Sequence, residues 1–479
     1  MNQLRRKAAG TGEADLVVPD FVAAMPMYPP KILPIPAKFL ALFAFGVGFL
    51  LQCNVITNSI GLRLLHISDL IVLVGLPVLY VVYVRLLASG PLILHLVVLS
   101  FSFLLSVMLF HERGEGEFYT SIFTYLYTLF FLPFTYMLFK ERLLTPFCWG
   151  IFYGFSAAAM LLGLDLVLHD QLSSIGLAFV FDPAAVAEAL ARGEITSALR
   201  LEKAGGIWAH GNEAGPVFAL AAAAAAYLAE KKQNFWIFTR FTSIYLSTFT
   251  LTQNRSGLIA VILVGLVLYI RRLSMATLKR SFFTIIAVAI GVIVVLPFGV
   301  FDFVDSAISK RFLEDSNVSN NASERFSSLG HGFEVMFQYP FGIGYTARYN
   351  LMQAIGGIGS PHNGFLATAF ANGLVYVVLL VTTILYLAVR RRKIGFFAYA
   401  AAALVTVYMF EELSYNPCMM AFVALMISYV ALDLDFRLAR AGAVLRLRSS
   451  RKRLAGDALH GRDSGARPGG PFSAAPAPR

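Results

Sequence analysis

The chain has 479 residues, of which 58% are apolar and only 14% are Asp, Glu, Lys or Arg, whereas about a quarter of a typical soluble domain is charged. Such a chain has too little polar surface to cover itself in water, which excludes a soluble enzyme, a disordered scaffold and a secreted disulfide module. A net charge of +11 suggests nucleic acid as a partner when the protein is soluble. In a membrane protein the same excess lies in cytoplasmic loops, and we therefore expect no nucleic-acid partner.

Apolar runs of the length of membrane helices recur along the whole chain. A hydrocarbon core about 30 Å thick needs roughly 20 apolar residues for each helical crossing. The runs predict an all-α, polytopic membrane protein with about twelve transmembrane helices, surrounded by membrane lipid. In chain order they lie at about 37–56, 70–87, 91–110, 118–139, 145–168, 214–229, 235–252, 256–270, 281–300, 365–389, 395–410 and 417–433.

The distribution of Lys and Arg between these runs predicts the orientation. Basic clusters precede the first run and then occupy every second junction, as at Arg271-Arg272 and at Arg390 to Lys393. Because cytoplasmic loops collect Lys and Arg, we expect residues 1–36 to form a cytoplasmic tail and residues 37–435 to form the transmembrane domain. Residues 436–479 are rich first in Arg and then in Gly, Pro and Ala. They predict a basic, disordered cytoplasmic tail, so both termini are expected in the cytoplasm.

This orientation leaves two long loops on the outer, periplasmic face, at about 169–213 and 301–364. Long ordered loops are uncommon without a function. The first contains a candidate amphipathic helix over 183–192.

Three predicted helices begin on the outer face, directly after polar segments. A helix N-terminus presents free backbone N–H groups and a positive dipole end, which together bind anions. Asn212, Asn254 and Asn363 precede these helices and are candidate N-cap residues. The pattern predicts an anion site at the outer ends of three helices.

Basic and flexible residues accompany these helix starts. Arg255 offers a planar, bidentate fork that suits phosphate, and Lys203 adds a second positive charge. Gly342 and Gly344 permit close backbone approach or a positive φ. Together the segments indicate a site for a phosphorylated, membrane-embedded substrate at the outer leaflet.

Two residues are candidates for acid–base chemistry at this site. His362 has an unperturbed pKa near neutrality and is the first candidate for a general base. Glu213 is the second candidate base. The loops contain no repeated Asp-x-Asp and no His/Cys set, so we expect neither a metal nor a cofactor.

The order and spacing of these segments resemble the signature region of the O-antigen polymerase/ligase superfamily. The resemblance covers roughly 200–375 by motif. Lys203 stands where the family commonly has Arg, and Gly211 replaces the usual Pro before Asn212. The segments that carry the resemblance are Lys203 to Asn212, Thr252 to Gly257, Gln338 to Tyr345, Ser360 to Leu366, and Asn372-Gly373.

The resemblance implies a metal-independent, inverting glycosyltransferase of the membrane-embedded GT-C type in the bacterial inner membrane. Its donor is a glycan linked to undecaprenyl diphosphate on the periplasmic face, and its acceptor is either another lipid-linked repeat unit or lipid A–core. The first acceptor makes it a polymerase of O-antigen or exopolysaccharide, which we slightly favour, and the second makes it an O-antigen ligase. By resemblance, the position of Arg255 binds the diphosphate and that of His362 serves the transfer step.

Two interpretations of other classes stay open. A lipid-linked oligosaccharide flippase or transporter also fits about twelve spans, although it predicts polar residues along the membrane interior. A non-catalytic partner in a polysaccharide assembly complex is the other, and it would tolerate loss of both Arg255 and His362.

Overall fold

The fold is that of a computed structural model. The described residues form twelve α-helices and no strand, which confirms the all-α prediction for them. The described residues are 35–51, 67–83, 115–168, 214–252, 254–271, 315–342, 363–389, 395–410 and 416–434, with the single residues 97, 100, 101, 104, 171, 191 and 437. The helices are α1 (Ala37–Leu50), α2 (Ile67–Tyr83), α3 (Glu115–Lys140), α4 (Leu144–Val167), α5 (Ala214–Lys231), α6 (Trp236–Thr252), α7 (Arg255–Arg271), α8 (Asp315–Gln338), α9 (Gly364–Asn372), α10 (Leu374–Val389), α11 (Gly395–Phe410) and α12 (Pro417–Leu434).

Two of the described helices are long and apolar enough to cross a membrane on length and composition. They are Leu144–Leu164 within α4 and Pro417–Leu434, which is α12. Shorter apolar stretches of 10–17 residues lie in α1, α2, α3, α10 and α11. These helices are consistent with a membrane protein, and the number of about twelve crossings stays a prediction.

The twelve described helices are not the twelve predicted runs. The run 365–389 forms two helices, because the chain between α9 and α10 turns at Gly373 with φ 82°. The segment 301–364, predicted as a loop, contains the polar helix α8. The run 281–300 lies outside the described residues, and so do most of the run 91–110, of the amphipathic candidate 183–192 and of both tails.

Helix α5 lies at the centre of the bundle, packed against α4, α6, α7 and α11. Nearly all of its side chains are buried, including an alanine tract at Ala221–Ala226. Small side chains let helix backbones approach closely, which is how helices associate in a membrane where no hydrophobic force acts between them.

A pair of glycines sets the contact between α1 and α4. A Cβ on Gly48 would clash with the carbonyl oxygen of Phe147, and one on Gly150 would clash with that of Phe45. The two backbones therefore touch where the helices cross, and a side chain at either glycine would force them apart.

An ion pair joins three helices at one end of the bundle. Arg271 Nη2, in the last residue of α7, lies 3.0 Å from Glu230 Oε1 in the last turn of α5. The hydroxyl of Tyr399, near the start of α11, donates to Glu230 Oε2 over 2.9 Å. Hence α5 and α7 end where α11 begins. We call this the Glu230 end, and the opposite end, where α5 and α7 begin and α11 ends, the Asn254 end.

Candidate functional site

The N-termini of α5 and α7 touch at the Asn254 end. Asn254 is buried, and its Oδ1 accepts the backbone N–H of Gly257 over 2.6 Å and the hydroxyl of Ser256 over 2.9 Å. This is the geometry of an N-cap, so the prediction for Asn254 is confirmed. A Cβ on Gly215, in the first turn of α5, would lie 3.0 Å from Asn254 Oδ1. Glycine at this position therefore allows the two helix ends to meet.

Asn363 caps α9 in the same way. Its backbone is extended, and its Oδ1 accepts the N–H groups of Phe365 and Leu366 over 3.0 and 3.1 Å. The predicted cap is confirmed. Its Nδ2 also donates to the carbonyl of Met409, in the last turn of α11, over 3.4 Å. Since α11 ends at the Asn254 end, α9 begins there.

Three helices that the sequence predicts to start on one face thus start at one end of the bundle. Each N-terminus contributes the partial positive charge of its helix dipole. Arg255, the first residue of α7, adds a full positive charge on a partly buried side chain. The three helix N-termini and Arg255 together are therefore suited to bind an anion. That it faces the periplasm stays a prediction.

Gly342 lies at the other end of α9 from Asn363. It is buried with φ 86°, and its N–H donates to the carbonyl of Tyr339 over 3.0 Å in the turn after α8. The N–H of Leu374 donates to the carbonyl of Pro340 over 2.8 Å, which fixes this turn at the α9–α10 junction. Nine residues of helix, about 13 Å, separate the junction from Asn363. The structure therefore does not bring Gly342 to the N-terminus of α9.

The other predicted site residues lie outside the described residues, and their roles stay predictions. His362 directly precedes Asn363 in the sequence, and Glu213 directly precedes α5. The predicted site residues outside the described part of the chain are His362, Glu213, Lys203, Asn212 and Gly344.

One buried asparagine at this end was not predicted from the sequence. Asn416 caps α12, since its Oδ1 accepts the N–H of Cys418 over 2.9 Å. The rings of Tyr429 and Phe397 stack at 4.2 Å, so α12 runs back towards the start of α11 and begins near the Asn254 end. The signal was present as Asn followed by Pro417, because proline suits the first position of a helix.

The described residues offer hydrogen-bond donors and a guanidinium rather than metal ligands. No group of three or more His, Cys, Asp or Glu side chains that could hold a metal ion occurs among them. Cys148 and Cys418 are free thiols buried within α4 and at the start of α12. The chemistry available from the described part of this end is the binding of an anion by helix N-termini and Arg255.

Comparison with known families places this geometry in context. Residues 241–381 match the family model described as O-antigen ligase, a stretch that includes Arg255, Gly342 and Asn363. No curated protein gave a significant match. Proteins of the matched family are membrane proteins with glycosyltransferase-like ligase or polymerase activity. The match supports an activity of that type for this chain, and over residues 241–381 it supports the predicted resemblance to the O-antigen polymerase/ligase superfamily.

Proposed function

We propose that the protein is a metal-independent, inverting GT-C glycosyltransferase of the bacterial inner membrane. It takes a glycan from undecaprenyl diphosphate at the periplasmic face and joins it to another lipid-linked repeat unit. The observation that carries the proposal is the common end of α5, α7 and α9, with Arg255 at the first position of α7, inside the matched family region.

The helix ends and Arg255 act on the leaving group in this proposal. Transfer breaks the bond between the anomeric carbon and the diphosphate oxygen, so negative charge grows on the departing diphosphate. Preorganised donors aimed at that charge lower the barrier more than they strengthen ground-state binding. Asn363 contributes through the helix end that it caps, because its side-chain amide already donates to Met409. Lys203, Asn212 and the backbone at Gly344 are the further proposed diphosphate contacts.

The acceptor side needs a base. A hydroxyl of the acceptor sugar attacks the anomeric carbon from the face opposite the diphosphate, which inverts the configuration there. Its proton passes to His362 in the proposal, with Glu213 as the alternative acceptor of that proton.

A second candidate, O-antigen ligase, is favoured by the description of the matched family. Its donor chemistry is the same, and lipid A–core replaces the second repeat unit as acceptor. The two candidates differ in the acceptor, and a defect in each leaves a different product.

Genetic complementation separates the candidates. The gene is deleted in its host, which is then complemented with wild type, Arg255→Ala or His362→Ala, and lipid-linked and surface glycans are resolved on gels. We expect both variants to fail, because one loses charge at the diphosphate and the other loses the base. Single repeat units remain after a polymerase defect, and polymer remains on the carrier after a ligase defect. Arg240→Ala is the matched control, since Arg240 is exposed on α6 away from the Asn254 end, and it should restore normal glycan.

Other outcomes identify other functions. Single units trapped in the cytoplasmic leaflet would indicate a flippase. Normal glycan from both alanine variants would contradict the roles proposed for Arg255 and His362, and it is the outcome expected of a non-catalytic partner in an assembly complex.

A further inference from the structure

The buried face of α8 carries two polar side chains that the proposed function does not use. Ser328 is 1% exposed, and neither its Oγ nor the buried Nδ1 of His331 has a hydrogen-bond partner in the described structure. Residues three apart lie on one face of a helix, and buried Val335 continues that face. Phe333 and Glu334, by contrast, are exposed.

This face runs along α9 towards its N-terminus. Val335 and Met336 pack with Leu366, Ala369 and Phe370 of α9 in one apolar cluster, and Leu329 packs against the same cluster. The turn after α8 meets the end of α9, because the N–H of Leu374 donates to the carbonyl of Pro340. The two helices are therefore side by side and parallel.

The length of α8 places the two polar residues. Ser328 lies ten residues before Gln338, which is about 15 Å of helix, and α9 itself is about 13 Å long. Ser328 and His331 consequently stand at the level of the N-terminus of α9, where Asn363 forms the cap.

Buried polar atoms in proteins nearly always have a partner, so two such atoms on one face indicate a place for a polar ligand. A serine hydroxyl both donates and accepts, and a neutral imidazole nitrogen either donates or accepts. Sugar hydroxyls have this same dual character. In the proposed function the N-terminus of α9 holds the diphosphate, and the sugars joined to it lie beside that end.

We propose that Ser328 and His331 bind hydroxyl groups of the glycan of the lipid-linked substrate, beside the N-terminus of α9. The inference rests on the proposed function for its substrate. It assigns to α8 the recognition of sugar, as distinct from the binding of diphosphate at the helix ends.

Ser328→Ala tests the proposal most directly, because it removes one hydroxyl and changes little volume. A buried hydroxyl without a partner contributes nothing favourable to the fold, so a merely structural Ser328 predicts unchanged or raised stability and unchanged kinetics. A ligand contact predicts the same stability with weaker glycan binding. We expect the KM for the lipid-linked glycan to rise about 5- to 10-fold, the equivalent of one lost hydrogen bond, with kcat within about twofold.

His331→Ala should give a similar rise in KM. His331→Asn retains a polar atom near the position of Nδ1 and should recover part of the affinity. Glu334→Gln is the matched control on the exposed side of the same helix, where Glu334 Oε1 accepts from Gln338 over 3.4 Å, and it should behave as wild type.

The experiment uses the full chain in lipid nanodiscs. The probe is the undecaprenyl-diphosphate-linked glycan extracted from a host strain that lacks the gene. Transfer kinetics, equilibrium binding of the same probe and thermal unfolding are measured for each variant.

The arms separate this inference from the proposed function. Wild-type transfer with unchanged KM in Ser328→Ala and His331→Ala overturns the inference and leaves the proposed function standing. Weaker binding in both variants, with a wild type that binds the probe without transferring it, supports the inference and overturns the function. A loss of affinity matched by a loss of thermal stability in both variants overturns the inference, and a wild type that neither binds nor transfers overturns both.

Discussion

At the scale of single residues, asparagine side chains cap the N-termini of three helices at the Asn254 end. Asn254, Asn363 and Asn416 are all buried, and each side-chain oxygen accepts backbone N–H groups of the helix that follows. Capping is local chemistry, because the cap and its donors lie within three residues of each other. For that reason Asn254 and Asn363 were predictable from the sequence. The sequence around Asn416 also indicates a helix start, because Pro417 follows it and proline suits the first position of a helix.

Replacing Asn254 tests whether capping of the α7 N-terminus matters for function. Asn254→Ala removes the cap of α7 and leaves the hydroxyl of Ser256 without the acceptor that it uses. We expect the free energy of unfolding in detergent to fall by about 1–2 kcal/mol. Glycan transfer should fall at least tenfold, because the first turn of α7 carries Arg255.

Asn234→Ala is the control for that variant. The exposed Asn234 accepts the N–H of Trp236 over 3.1 Å at the start of α6, at the Glu230 end. Its loss should cost about 0.5–1 kcal/mol of stability and leave transfer intact. Equal loss of transfer in both variants would contradict a special role for the α7 start.

At the scale of elements, the structure departs most from the sequence pattern around α8, α9 and α10. The hydropathy pattern predicts one continuous run across α9 and α10, because both helices are apolar. It predicts a loop where α8 lies, because α8 is polar. Gly373 has φ 82° and ψ 164°, a region that only glycine occupies readily. The turn after α8 fills the space beside it. The pair Asn372-Gly373 is typical of a turn. The contact between Gly373 and Phe341 of the turn after α8 shows why the chain turns there.

Gly373→Ala should loosen this junction. A Cβ at this position would lie 2.9 Å from the carbonyl carbon of Phe341, so the substitution adds a backbone clash to an unfavourable φ. We expect the free energy of unfolding to fall by about 1–3 kcal/mol, measured by thermal or denaturant unfolding in detergent.

Gly330→Ala provides the comparison on α8. Nothing lies within 4 Å of a Cβ on Gly330, and alanine favours the helix over glycine by up to about 1 kcal/mol. This variant should be as stable as wild type or more so. If Gly373→Ala were equally harmless, the contact between Phe341 and Gly373 would not hold the junction.

At the scale of the whole molecule, the cluster at the Glu230 end joins the helices whose other ends form the candidate site. Arg271 and Glu230 have side chains only 16% and 24% exposed, and the guanidinium also lies 5.6 Å from the ring centroid of Tyr399. One carboxylate thus connects α5, α7 and α11. Because α7 has 17 residues, or about 25 Å, this connection lies a full helix length from Arg255.

Breaking this cluster should destabilise the bundle without touching the site. Arg271→Gln leaves Glu230 with a reduced set of partners, and we expect the unfolding free energy to fall by about 1–3 kcal/mol, between the values for exposed and fully buried pairs. A double-mutant cycle with Tyr399→Phe should be non-additive, because both side chains bind the same carboxylate.

Arg437→Gln is the corresponding exposed case. Arg437 is 40% exposed and pairs with Asp433 one turn away over 2.9 Å, so its loss should cost no more than about 0.5 kcal/mol. If the two arginine variants had equal stability, the three-helix connection would have no particular strength.

The sequence by itself determined the all-α class of the described residues, the apolar runs that favour a membrane protein, and the starts of several helices. A high apolar fraction indicates a membrane protein because each helical crossing of the bilayer interior needs a long run of apolar residues. A capping residue indicates a helix start because its hydrogen-bond partners are its neighbours in sequence. Only the tertiary structure decided that Gly215 of α5 meets the cap residue Asn254 of α7, that Gly342 lies at the far end of α9 from Asn363, and that α8 buries Ser328. Each of these three features depends on contacts between residues that are distant in sequence. Burial and close approach involve both partners of a contact, so the local sequence of one partner does not reveal them.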